Sequence, residues 1–307
     1  MKAATSISTG KDSLHRLRFF LLFVLLLLFP LASARSQEPQ QVERDSTFWI
    51  FQRKPLVTYT IGAYSAYVLY KEWKWWWRDN SYPWMIRSEG FLNNYSLGVD
   101  KVGHFYTSYL YTTSFRELMV WGGFEPETAL WFSVGIAAFH AVSIEIGDGF
   151  STYHFAPDDL LANFLGITYG YLQTGVPFLR NINPKWSYYP SGNAHFKKSW
   201  HITGDYDGHI YWLSFNIHDL LPRGARNYWP EFLSLAVGYG GKNISQGASG
   251  IPARKFAISL DYNLLAIPTP GDTWDMIKRV LNPFHFPAPG VKFINGEPAQ
   301  FKPILLF

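Results

Sequence analysis

Near Pro184 the apolar residues of this chain change their spacing, and no other feature limits the fold as much. Before that point four apolar stretches, residues 56–70, 102–121, 128–146 and 160–179, are each long enough for a helix. Turn signals separate them: Ser81-Tyr82-Pro83, Gly122-Gly123, Gly147-Asp148-Gly149 and Ala156-Pro157. Pro126 suits the opening of the third helix, and Gly166 and Gly170, four apart, suit close helix approach on the fourth. After Pro184 the period falls to two. Tyr211, Leu213, Phe215 and Ile217 alternate with Ser214 and Asn216; residues 232–240 and 255–264 repeat the pattern. Asp205-Tyr206-Asp207-Gly208 reads as a hairpin turn ahead of them.

The expected fold class is therefore α+β. A four-helix, partly membrane-like core occupies residues 51–183, and an antiparallel strand-rich region fills 184–307. Bulky apolar residues opposite small polar ones also describe an outer-membrane barrel strand. Phe307 suits the end of such a strand and Pro303 weakens it. Five or six strands are expected, fewer than the ~8 of a closed lipid-facing barrel, so a membrane barrel and a soluble sheet both stay open.

Residues 1–34 have the form of an export signal. Lys11, His15, Arg16 and Arg18 precede the apolar run Phe19–Phe29; Pro30 breaks it and Ala32-Ser33-Ala34 supplies small residues for cleavage. Residues 35–50 are polar and read as a flexible segment. Much of the formal charge of +4 lies in the leader, on Lys2, Lys11, Arg16 and Arg18 against Asp12. No basic tract is left to follow a phosphate backbone, which argues against nucleic acid as a partner. Cysteine is absent, which excludes disulfides, thiolate metal sites, thiol catalysis and a cysteine-linked lipid anchor. Aromatic residues make up 19% of the chain and charged ones only 16%, so the protein is expected at a greasy boundary. Lys71-Glu-Trp-Lys-Trp-Trp-Trp-Arg78 interleaves cations with indoles as an interfacial anchor does; a helix end with packed Trp is the competing reading. The helices are diluted by Tyr, Thr, Ser and charge, so export past the inner membrane to the periplasm or outer membrane of a Gram-negative cell is expected.

Three polar clusters carry whatever chemistry the chain has. Asp100-Lys101-x-x-His104 opens the second helix; His140 and Glu145-x-x-Asp148 close the third; Asp158-Asp159-x-x-Ala162-Asn163-x-x-Gly166 opens the fourth. Their i, i+3 and i, i+4 spacings put each cluster on one helix face. Asp100, Asp158 and Asp159 lie at helix N-termini, where carboxylates cap free N–H groups. Glu145 and Asp148 lie at the negative pole of a helix, each disfavoured by ~0.3–1 kcal/mol when exposed, and need a cation. Lys101, His104 or a bound metal can supply it. The expectation is that His104, Glu145, Asp148, Asp159 and Asn163 meet in one polar pocket. Catalytic candidates are His104, Glu145 and Asp148, and binding candidates are these with Asp100, Lys101, Asp159 and Asn163. The spacing matches no strong metal motif, so no cofactor is assigned and a metal ion is left as an option.

Two other patterns carry less. Pro190-Ser-Gly-Asn-Ala-His195 with His201 and Asp205 is similar to lipid phosphatases of the PAP2 type, but the Ser-Arg dipeptide is absent and His is displaced. His154, His218 and His285 read as loop or strand-edge residues. Gly238-Tyr-Gly-Gly241 lacks the Lys-Ser/Thr ending of a nucleotide loop.

Taken in order, D-K-x-x-H-F, E-x-x-D-G and D-D-x-x-A-N-x-x-G, over residues 50–180, resemble the YfiM-like predicted periplasmic lipoproteins, and more distantly VanZ-like membrane proteins. The resemblance marks Asp100, Lys101, His104, Glu145, Asp148, Asp159, Asn163 and Gly166, and implies no reaction. The functional expectation is an uncharacterised envelope protein whose pocket accommodates an amphiphilic envelope component, with membrane lipid as partner. An envelope enzyme acting on a lipid-linked or cell-wall substrate and a ligand-free structural protein are the alternatives.

Overall fold

The computed structural model describes residues 52–191, 202–245 and 248–305, all within one compact unit spanning Trp49–Phe307. The leader, the polar segment 35–50, His195, His201 and Phe307 lie outside the described residues.

Helix α1, Arg53–Glu72, runs on into a wide π turn, Trp73–Trp77. Helices α2 (Val99–Trp121), α3 (Pro126–Gly149) and α4 (Pro157–Gly175) follow. Proline at the first turn opens α3 and α4, where its missing N–H costs nothing. Helix α4 ends four residues before the expected Leu179. Pro177 disfavours helical geometry at Val176, and the chain continues as a 3-10 turn, Pro177–Asn181. Val57 and Ile61 of α1 pack on Phe115, Met119 and Ala129, joining α1 to one end of α2 and α3. At the other end the spacing is tighter: a Cβ on Gly166 would lie 2.0 Å from the Phe105 carbonyl oxygen, so only glycine lets α4 lie against α2. One described helix, α3, is long and apolar enough to cross a membrane by length and composition.

The strands are β1 (Ile182–Tyr188), β2 (His209–Phe215), β3 (Leu233–Lys242), β4 (Ala253–Tyr262), β5 (Ala288–Ile294) and β6 (Gln300–Leu305). A one-turn helix α5, Ile217–Leu220, follows β2, and α6, Asp272–Leu281, precedes β5. All six strands form one antiparallel meander in chain order. Pro303 is tolerated because β6 is the last strand and its register slips there. Residues Tyr206–Gly208 form a 3-10 turn in the connection between the antiparallel strands β1 and β2, at its β2 end.

The outer face of this sheet is more apolar than that of a soluble one. Its inner face combines an apolar cluster of Ile210, Trp212, Ala236, Ala257 and Leu305 with a small, polar row, Ser214, Ala236, Ser259 and Gly290, which stand side by side, all buried. Lys185 and Asp261 pair there at 2.8 Å, both within 1% of complete burial, and Ser214 donates to Asp261 at 2.6 Å. Trp212 fills the space that Gly238 leaves opposite it, and stacks on His285 at 4.0 Å. His285 lies in the loop between α6 and β5, one of the two places expected for it, and is buried there. Outside, Leu213, Val237, Ile258, Val291 and Phe301 form one row across five strands, with four of them exposed. The next row, Tyr211, Tyr239, Phe256 and Phe293, meets the helices at one end: Tyr211 packs on Tyr106, and Tyr239 donates to the Leu97 carbonyl.

Candidate functional site

The N-terminus of α2 is held by side chains before it begins. Asn94 Oδ1 accepts from the N–H of Ser96 and Gly98, and Ser96 Oγ accepts from the N–H of Asp100. Gly98 adopts φ +88°, which suits glycine and sets the entry angle. The segment before it is threaded along the α3–α4 connection: Arg87 donates to the Phe155 carbonyl and Glu89 N–H points at Asp158. These local bonds deliver Glu89, Asp100, Asp158 and Asp159 to one lysine.

Lys101 is 4% exposed. Its Nζ lies 2.5 Å from Asp159 Oδ1, 3.3 Å from both Asp100 and Asp158, and 3.4 Å from Glu89. Burial pulls its pKa down, but the carboxylates outweigh that and hold it above the ordinary lysine value. One turn on, His104 Nε2 faces Asp159 at 3.7 Å and Asp100 at 3.8 Å, while Nδ1 faces Glu145 Oε1 at 3.8 Å. Asn163 Nδ2 approaches Nδ1 at 3.2 Å, and Asn163 Oδ1 accepts from Ser108. With the amide so turned, Nδ1 accepts and Nε2 carries the proton toward the aspartates. A doubly protonated ring needs the amide reversed, with Ser108 accepting. Burial lowers the His104 pKa, yet Asp100, Asp159 and Glu145 together raise it to about 9.

The acids divide by the balance between burial and their partners. Asp100, at the start of α2, is pushed up by burial but held below the usual range by His104, Lys101 and the Tyr206 hydroxyl, which donates at 2.7 Å. Asp158, at the start of α4, is also held low against burial, by backbone N–H groups and Lys101. Asp159 is pushed up to about 6, chiefly by burial. At the end of α3, burial lifts Asp148 to about 7 and Glu145 to about 8, and it lifts Glu72 on α1 to about 8.

The structure brings together Asp100, Lys101, His104, Glu145, Asp159 and Asn163. Asp148 stands apart: it accepts from Trp77 Nε1 at 2.7 Å, and Trp77 packs against Gly147, so that indole of the Trp-rich run is a packing residue. His140 is buried against Tyr111 and held near a pKa of about 4 by burial, outside the centre. Glu72, Glu89, Ser108 and Tyr206 join without having been expected. Glu72 sits inside a run that reads as an anchor, and Tyr206 in a turn more than a hundred residues away; only the fold connects them. Asp205, part of the phosphatase-like pattern, is occupied by Ser191, Tyr188 and Ser245 and does not reach this centre. His154 lies in the α3–α4 connection at φ +65°, and His218 in α5 beside Asp219.

Every group of the centre except Glu72 and Tyr206 falls between Glu89 and Asn163. Residues 88–175 match a family model. Its description is predicted periplasmic lipoprotein, DUF2279. Comparisons with curated proteins and with solved structures return no match. The DUF2279 segment covers α2, α3 and α4 with their connections, and supports the resemblance to YfiM-like proteins and an exported, envelope location for a protein of uncharacterised function. The 307 residues contain no cysteine, so none of them can carry the thioether lipid of a lipoprotein.

Proposed function

We propose that the protein is a membrane-associated envelope protein that engages an amphiphilic envelope component, apolar part on its sheet and helices and polar part at the charged centre. One observation carries this reading: the apolar row Leu213, Val237, Ile258, Val291 and Phe301 on the outer face of a sheet whose inner face buries Lys185, Ser214, Ser259 and Asp261 beside its apolar cluster. Five strands at ~4.8 Å spacing make that row about 19 Å wide, a band suited to acyl chains rather than water. The apolar outer face favours the outer membrane over the open periplasm. Lipid contact also accounts for exposed Leu161, Phe164, Leu165 and Leu172 on α4. The test is flotation of the mature chain with phospholipid vesicles. Floating protein supports the reading, and I258N is expected to cut flotation about tenfold, the loss of one Ile-sized contact of ~1.5 kcal/mol. Protein that stays at the bottom of the gradient refutes it.

A second reading has its own observation. His104 has carboxylates near both ring nitrogens, the arrangement of a general acid–base, with Asn163 orienting it. In that reading the chain is an enzyme on a lipid-linked or cell-wall substrate, with Glu145 as base and Asp148 as a further candidate. Turnover of envelope extract that H104Q abolishes would favour it.

A further inference from the structure

We infer that Asp100, His104 and Asp159 form a site for one divalent metal ion of the zinc type. The inference names the ion held at the polar centre of the proposed function, and rests on that centre but not on lipid contact.

One ligand atom from each of the three residues lies within 4.8 Å of the other two. His104 Nε2 stands 3.8 Å from Asp100 Oδ1 and 3.7 Å from Asp159 Oδ1. A point equidistant from three atoms spaced in this way lies about 2.2–2.4 Å from each, and zinc bonds to imidazole and carboxylate are ~2.0–2.2 Å. Closing the gap needs only a small inward movement of two aspartate side chains.

The surroundings supply what such a site requires. Glu145 is 1% exposed; its Oε2 accepts from the Ala156 N–H, but its Oε1 has no hydrogen-bond partner and points at His104 Nδ1. A metal on Nε2 leaves the ring proton on Nδ1, where the reversed Asn163 amide oxygen accepts it at 3.2 Å, with the Glu145 Oε1 carboxylate 3.8 Å behind. A carboxylate behind a metal-bound imidazole is the usual supporting arrangement. The ligating carboxylates are steadied in turn, Asp100 by Tyr206 and both aspartates by Lys101. Lys101 Nζ lies 2.5 Å from the Asp159 oxygen that faces the imidazole and 3.3 Å from Asp100 Oδ2, so it balances the charge of both ligating carboxylates while also serving Glu89 and Asp158. One neutral imidazole and two carboxylates are a donor set for a borderline ion, and three protein ligands leave room for water or a headgroup oxygen.

The test uses the mature full-length chain in mild detergent, stripped with chelator and titrated with Co²⁺ as a spectroscopic stand-in for zinc. The expected result is one equivalent bound, with ligand-field absorption of a low-symmetry nitrogen–oxygen site. H104Q is expected to lose that absorption and at least a hundredfold in affinity. E145Q should keep the absorption and bind ten- to a hundredfold more weakly. Absence of saturable binding by the wild-type chain overturns the inference, whatever the variants do. So does undiminished binding by a folded H104Q. Vesicle flotation of the stripped protein, run in parallel, separates the two proposals: flotation without metal binding removes the metal alone.

Discussion

Lys101 serves four acids from one buried position, and His104 stands between three more contacts to carboxylates. Removing the lysine leaves charges in low dielectric with no replacement, so K101M is expected to cost ~3–5 kcal/mol in chemical denaturation. A loss below ~1 kcal/mol would show that the acids are neutral without it. The pH response follows from the same residues. Folding raises His104 from 6.5 to about 9 and Glu145 from 4.5 to about 8. A group raised by folding stabilises fully below its unfolded value, and that stability is lost as pH climbs through the folded one. The groups facing His104 are Asp100 and Lys101 on its own helix, Glu145 and Asp148 on α3, Asp159 on α4 and Glu72 on α1. Melting temperature should therefore fall from pH 6.5 to pH 9, and E145Q should flatten the part below pH 8. A melting temperature that rises over this interval would contradict the assignment. The acids stranded at the end of α3 were legible in the sequence because helix polarity makes them costly there. Glu72 and Glu89 were not, since nothing local marks a carboxyl as destined for burial.

At the level of elements, spacing alone located helices α1 to α4 and strands β2, β3 and β4, because periods of 3.6 and 2 reflect which face is covered. It failed where proline chemistry overrides hydrophobicity, at Val176-Pro177, and it missed α6, whose ten residues include Asp272, Asp275, Lys278 and Arg279. Two glycines test how α4 reaches α2. G166A puts a methyl group against the Phe105 carbonyl and should destabilise by at least ~1–3 kcal/mol while disturbing the centre, since His104 precedes Phe105. G135A, on an open face of α3 with nothing within 4 Å, should instead stabilise by ~0.5–1 kcal/mol. Denaturant melts of the pair separate close packing from helix propensity. Equal effects would mean that Gly166 is chosen for neither.

Over the whole molecule, the helices, which carry the DUF2279 segment, and the sheet are chemically tied. Tyr206, from beside β2, bonds to Asp100, and Tyr106 of α2 donates to the Pro283 carbonyl. The strand pattern left a barrel and a soluble sheet open because both alternate in the same way; which side is wet is decided only by what the sheet is packed on. The margin at β1 has a further consequence. Trp186 exchanges backbone hydrogen bonds with Pro283 and His285, so the margin of the first strand is sealed by residues made a hundred positions later. During secretion the amino-terminal portion emerges first with that margin bare. Until the tail arrives it is open to pairing with neighbouring chains.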